Sequence, residues 1–395
     1  MIDVLRKMGF VPRSCVWELT LVCNMRCLHC GSYAGASREN ELSLEECESV
    51  ADQLTALGCR QVTLGGGEPT LHPHWHELGG RLTDQGVRVN MISNGWHWTE
   101  SHVEKAKAAG LVNAAFSLDG FEKDHDAFRR EGSYGRVIRT IDRCVAAGLP
   151  VAINTTINTY NCRYLPELRD LLAEHGVFSW QLQIATPSGN LSEHLELVIK
   201  PEDMLWLVPQ IAKMRMETGV RPLVCPGDDV GYFGKFERAL RDSGGHIPFW
   251  LGCRAGCQVI GIESNGNVKG CLSLPSAMHG EDRFLEGNIR LNSLEAIWNR
   301  EGAFAYNREF TEDQLAGFCG VCRFREFCRG GCSWTAYSHT KNRFDNPYCL
   351  YRQAVKHRRF DLLDEEPTPE ELAYVEEEQA PAAAPPGLRP RHLHY

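Results

Sequence analysis

Residues 15–30 read Cys15-Val16-Trp17-Glu18-Leu19-Thr20-Leu21-Val22-Cys23-Asn24-Met25-Arg26-Cys27-Leu28-His29-Cys30. The run Cys15–Thr20 has the apolar, β-branched character of a strand, and it empties into three cysteines spaced C-x3-C-x2-C. Three soft thiolates on one short loop suit an iron–sulfur cluster, whose irons are normally held by four cysteines; a zinc site and a nest of buried thiols are the competing readings. If no fourth protein ligand joins, one iron of such a cluster keeps an open position.

The same strand-then-loop unit recurs downstream. Strand patterns at Gln61–Leu64, Val87–Ser93, Asn113–Leu118, Val151–Asn158 and Ser179–Ile184 alternate with helix patterns at Leu42–Leu57, Trp98–Ala109, Tyr134–Ala147 and Leu165–His175. Ser43 is placed to cap the first of these helices, with Glu45 and Glu46 in its first turn and Gly58 closing it. This alternation predicts an α/β fold with a parallel sheet. Six strands fall short of a closed eight-stranded barrel, so an open or partial barrel is expected, with its chemistry on loops at the C-terminal strand ends. Those loops are Gly65-Gly66-Gly67-Glu68-Pro69, Ser93-Asn94-Gly95 and Ser117-Leu118-Asp119-Gly120. The glycines allow close backbone approach to a ligand and Glu68 can accept from an ammonium, although each loop alone also reads as an ordinary turn.

Pro201–Thr218 reads as one more helix, and then the pattern changes. From Gly252 to Leu350 the chain is rich in Cys and Gly and poor in apolar periodicity, as in segments stabilised by metal sites. Cys253, Cys257 and Cys271 precede Cys319-x2-Cys322-x5-Cys328-x3-Cys332 and Cys349. Eight cysteines make two sets of four, compatible with zinc or with iron–sulfur clusters. The expected organisation is an N-terminal extension (1–14), a barrel (15–220), a bridge (221–251), a cysteine-rich extension (252–362) and a disordered acidic, then Pro/Ala-rich tail (363–395).

Composition narrows the class. The chain has 395 residues and 17 cysteines, an odd count in a long chain whose start does not resemble a secretory signal. Free thiols in a reducing, cytoplasmic compartment therefore fit better than a disulfide framework. No apolar run approaches the roughly 18 residues of a membrane span. The net charge is -9, of which -7 falls between Asp361 and Tyr395 (nine acids, two arginines), so neither a membrane nor a nucleic-acid partner is expected.

The cysteine loop after the first strand, followed by Gly66-Gly67-Glu68-Pro69 after the second, resembles the radical SAM superfamily, and the later cysteine field resembles its SPASM extension. The resemblance implies a partial (βα)6 TIM-type barrel and three [4Fe–4S] clusters. Cys23, Cys27 and Cys30 would bind the cluster whose open iron chelates S-adenosylmethionine. Cys253, Cys257, Cys271 and Cys332 would bind a first auxiliary cluster, and Cys319, Cys322, Cys328 and Cys349 a second. Gly66, Gly67 and Glu68 match the loop for the methionine amino group; Asn94, Ser117 and Asp119 match positions around the ribose and carboxylate. His29 stands where relatives usually carry an aromatic residue near the adenine. The implied chemistry is one-electron cleavage of S-adenosylmethionine to a 5′-deoxyadenosyl radical, fed by a flavodoxin- or ferredoxin-type reductant. Six thiols, Cys15, Cys47, Cys59, Cys144, Cys162 and Cys225, are left as small buried hydrophobes.

Relatives of this kind mostly modify peptides or proteins. Crosslinking or oxidation of a peptide is therefore the expected reaction, with dehydrogenation or epimerisation of a small metabolite such as an amino sugar or cyclitol as the alternative. Leu272 stands where sulfatase-maturing relatives carry an aspartate, which argues against that activity. About 14 residues precede the first strand, so leader recognition would fall to a separate protein or to another surface. In Pro226-Gly227-Asp228-Asp229-Val230-Gly231-Tyr232, either a linker turn or a substrate site places Asp228, Asp229 and Tyr232.

Overall fold

The computed structural model describes every residue except 1, 3–5, 8, 218, 220, 243–248, 276–281 and 380–395. Six parallel strands lie in chain order: β1 (Ser14–Thr20), β2 (Gln61–Gly66), β3 (Arg88–Ser93), β4 (Asn113–Ser117), β5 (Val151–Ile157) and β6 (Ser179–Ile184). Between them run α1 (Leu44–Ala56), α2 (Trp75–Asp84), α3 (Glu100–Ala108), α4 (Glu122–Phe128), α5 (Ser133–Ala146) and α6 (Leu165–Glu174). Ser43 caps α1 as expected. Its hydroxyl accepts from Glu46 N, and the Glu46 carboxylate accepts from Ser43 N at 2.8 Å. Trp17, Leu64, Met91, Phe116, Ile153 and Leu182 are fully buried in the sheet and Leu54, Leu78, Ile141 and Leu168 in the helices that accompany it. Each such side chain contributes about 1.5–3 kcal/mol by leaving water.

The partial barrel is thus present, and the sheet runs beyond it on both sides. After α7 (Met204–Met216), β7 (Leu223–Pro226) adds parallel to β6. On the other edge β8 (Val259–Ile262) pairs parallel with β1, Ser14 facing Val259 and Trp17 facing Ile262. The hairpin β9 (Asn267–Lys269) and β10 (Gly287–Asn288) completes a ten-stranded sheet. The cysteine-rich segment is therefore not a domain without a core: it starts on the barrel's own sheet. A buried carboxylate seals the junction. Glu18 on β1 accepts from Arg38 Nε at 2.6 Å and from Ser264 Oγ at 2.9 Å, just past β8.

The tail expectation needs correction over part of its length. Pro369–Gln379 is a helix docked on the cysteine-rich segment. Glu371, with no exposed surface, accepts from Arg323 N (2.8 Å), Thr368 N (2.7 Å) and the Tyr351 hydroxyl (2.9 Å), and Val375 is buried beside it. One carboxylate satisfying three donors holds an otherwise acidic, disorder-like sequence in place. The Pro/Ala-rich remainder of the expected tail, 380–395, lies outside the described residues.

Candidate cluster and cofactor site

The three-cysteine loop leaves β1 at its C-terminal end and is gripped by neighbouring loops. Gly67 N donates to Thr20 O and Glu68 N to Val22 O, both at 2.8 Å. A Cβ on Gly66 would sit 2.2 Å from Thr20 O, and one on Gly67 would sit 2.3 Å from Val22 O. The glycines at 66 and 67 thus let this loop lie against the chain entering Cys23. Glu68, almost fully buried, accepts from Thr70 Oγ1 (2.6 Å), Ser93 Oγ (2.8 Å) and Asn94 N (2.8 Å). Its carboxylate ties the β2 loop to the β3 loop. Asn94 Nδ2 in turn donates to Asn24 Oδ1 at 2.7 Å and reaches Cys23 Sγ at 3.8 Å.

The β6 side supplies a clamp that the sequence did not announce. Asn190 N donates to Cys30 O and Asn190 Nδ2 to Cys27 O, and Gly189 has φ +58° with no room for a Cβ beside Cys30 O. From β4, Asp119 accepts from Arg129 Nε at 2.5 Å and from Thr156 N at 2.7 Å, both oxygens fully buried. Arg129 Nη1 points to Cys27 Sγ at 3.8 Å. Asp119, expected around the ribose and carboxylate, instead stands buried behind a guanidinium that faces the thiol. His29 stacks on Phe128 with ring centroids 4.1 Å apart, and burial pushes its imidazole well below the usual range, so the ring is neutral. Ser117 ends β4, half-buried.

The eight later cysteines are buried or half-buried, and several sense one another's charge. Burial raises Cys271 and Cys332, and Cys253 adds to both; Cys257, also raised by burial, senses Cys253. Burial likewise raises Cys322 and Cys328, each of which senses Cys349 and Cys319. Cys319, Cys322, Cys328 and Cys349 line one cavity together. All seventeen cysteines are free thiols. Among the described residues, no three His, Cys, Asp or Glu side chains close on a point the size of one ion. Soft thiol donors in such numbers are of the type that multi-iron clusters use.

The bridging segment divides the three residues expected at a substrate. Asp228 is half-exposed and pairs with Arg254 at 3.3 Å. Asp229 is buried at the mouth of β6, where Oδ2 accepts from Ile184 N at 2.9 Å and Oδ1 has no partner; burial raises its carboxyl to about 7. Tyr232 departs from the expectation. It has no exposed surface, its hydroxyl donates to Asp228 O and accepts from Cys332 N at 2.9 Å, and its carbonyl accepts from Cys349 Sγ. It joins the two cysteine sets and has no free face for substrate. The helix Ser333–Thr340, directly after Cys332, brings further unpaired buried atoms: Trp334 Nε1, Thr335 Oγ1, Ser338 Oγ and His339 Nε2.

A partial barrel with three thiols on the loop after its first strand, extended by a cysteine-rich module on the same sheet, is the frame of an iron–sulfur enzyme with an additional cluster-binding module. The radical SAM superfamily model matches residues 17–172, and an iron–sulfur cluster-binding domain, SPASM, matches 253–323. The chain is 30% identical to an AdoMet-dependent heme synthase of Methanosarcina barkeri, over 87% of this chain and 98% of that protein. It is 32% identical to the mycofactocin maturase MftC of Mycobacterium ulcerans, over 81% and 83% respectively. Its fold is similar to that of Streptococcus suis SuiB bound to the precursor peptide SuiA (TM-score 0.68, 17% identity, 87% of this chain, 77% of that one). The chain belongs to the radical SAM superfamily and carries the SPASM extension.

Proposed function

We propose that the chain is a peptide-modifying radical SAM enzyme with three [4Fe–4S] clusters held by the cysteine sets described above. The observation that supports the cluster count is the spacing of eleven cysteines, Cys23, Cys27 and Cys30 on one loop and eight in the extension, of which Cys319, Cys322, Cys328 and Cys349 line one cavity. Similarity to MftC and the SuiB fold supports the peptide. When bound, the three-cysteine cluster supplies reductive cleavage of S-adenosylmethionine. The chain's own residues then bind and orient. Gly66, Gly67, Asn94 and Ser117 present the methionine and ribose side of the mouth, Glu68 braces two of those loops, and His29 offers a neutral ring for the adenine. Asp229, with one oxygen unpaired among the described residues and a carboxyl near 7, serves as acid–base group toward substrate, and the half-exposed Asp228 supplies a contact. A flavodoxin- or ferredoxin-type donor and a separate leader-binding protein complete the scheme.

One observation favours a second reading. The chain covers nearly the whole length of the heme synthase, which points to a tetrapyrrole in place of a peptide. The test is 5′-deoxyadenosine formation by the reduced enzyme, with candidate precursor peptides from neighbouring reading frames set against iron-coproporphyrin. Peptide-dependent product of altered mass supports the first reading, and turnover of porphyrin alone replaces it. Asp229→Asn should keep 5′-deoxyadenosine release while losing product; unchanged product removes the acid–base role.

A further inference from the structure

Three arginines are buried around the first four-cysteine set without a carboxylate partner. Arg329, Arg343 and Arg308 are 4%, 6% and 8% exposed, and none forms an ion pair among the described residues. Arg329 donates to Leu251 O and Cys253 O, and its charge bears on Cys257. Arg343 reaches Asn307 Oδ1 and Ser333 Oγ at 3.4–3.5 Å while its Nε has no partner. Arg308 donates to Gly256 O and Trp298 O, both at 2.6 Å, and leaves Nη2 unpaired. Buried guanidiniums without a counter-charge are costly, and three in one place demand an anion there.

The second set is surrounded differently. Arg352 pairs with Asp345 and Glu378, and Arg325 pairs with Glu312. One of these carboxylates, Asp345, bears on Cys319, and a further one, Glu371, bears on Cys322. Cation charge is cancelled around one set and left free around the other. Against the three free arginines of the first set stands Asp229, near Cys332, and Glu286, near Arg308 and itself bridged to Arg300.

We infer that Arg308, Arg329 and Arg343 form a cationic cage that neutralises the first auxiliary cluster and makes it the more easily reduced of the two. This rests on the proposed cluster at Cys253, Cys257, Cys271 and Cys332. Four thiolates around a [4Fe–4S]2+ core carry a net charge of -2, and one added electron makes it -3. Fixed guanidiniums favour the more negative state, so the cage raises that midpoint, whereas the cations beside the second set are offset by carboxylates and raise the other less. The cage thereby singles out the first auxiliary cluster as the acceptor for an electron entering the extension.

The test is a dithionite potentiometric titration of the full-length reconstituted enzyme, followed by electron paramagnetic resonance. A Cys23→Ala, Cys27→Ala, Cys30→Ala background isolates the auxiliary signals, and Cys271→Ala identifies which of them belongs to the first. In the parent, the first auxiliary signal should appear at the higher potential. With Arg343→Gln, the reduced-to-oxidised ratio of that cluster at the parent midpoint should fall about tenfold, about 59 mV for one electron, with the second signal unmoved. Arg343→Lys should restore most of the ratio, and Arg308→Gln gives the same reading if Arg343→Gln loses iron. Unmoved midpoints with full iron, or equal shifts of both signals, overturn the cage. Parent enzyme with about eight irons in place of about twelve overturns the cluster assignment itself, which separates the two failures.

Discussion

Arg129 has a guanidinium with a buried carboxylate on one side and a cysteine thiol on the other. Replacing it by Gln would strand the Asp119 charge, at a cost of about 3–5 kcal/mol, and remove the donor facing Cys27. Urea unfolding should show that loss, and iron analysis a depleted first site; unchanged values for both would refute the coupling. His125 gives a pH signature in the same neighbourhood. Its Nδ1 accepts from Asp119 N at 3.1 Å, so the ring is folded neutral, and burial lowers it to about 3. Because the unfolded chain takes up this proton near pH 6.5 and the folded one does not, the stabilisation is complete above that pH. It declines as pH falls toward 3, by at most about 1.4 kcal/mol per unit. His125→Gln should flatten the stability profile between pH 7 and 5 relative to the parent; an identical slope would exclude His125 as the source.

Among elements, the helix Pro369–Gln379 carries the clearest consequence. Its Glu371 satisfies Arg323 N, one residue beyond Cys322. Truncation after Leu363 should unseat the second four-cysteine set and lower the iron content by about four per chain, while a chain ending at Gln379 keeps it. Full iron in the shorter form would show the helix to be dispensable. The six strands and the helices α1, α3, α5 and α6 were legible from local periodicity, and the cysteine spacing marked candidate ligands; α2 and α4, short helices inside longer loops, were not read from the sequence. The helix Pro369–Gln379 was not legible, because nine acids in a short stretch look solvated unless the two distant donors to Glu371, Arg323 N and the Tyr351 hydroxyl, are known. Arg129, Asn190 and Gly189 escaped for the same reason. Each acts on Cys27 or Cys30 from at least a hundred residues away, with no motif to mark it.

At the scale of the whole molecule, barrel and extension share one sheet, and β1 is an interior strand only because β8 lies on it. A fragment ending at residue 251 should therefore expose the full edge of β1 and associate or precipitate, whereas the complete chain runs as a discrete species in size-exclusion chromatography. A monodisperse, folded fragment would contradict this. The pairing also sets an order of events at birth. At roughly 5–20 residues per second, the ribosome needs on the order of tens of seconds after making Thr20 to deliver Val259. Throughout that interval the strand feeding Cys23 has a bare flank, and the loop it carries hangs from an unfinished scaffold. Iron loaded at the first site before the extension emerges would be held by a half-built wall, so nascent chains stalled short of residue 259 should be poor recipients from any cluster donor.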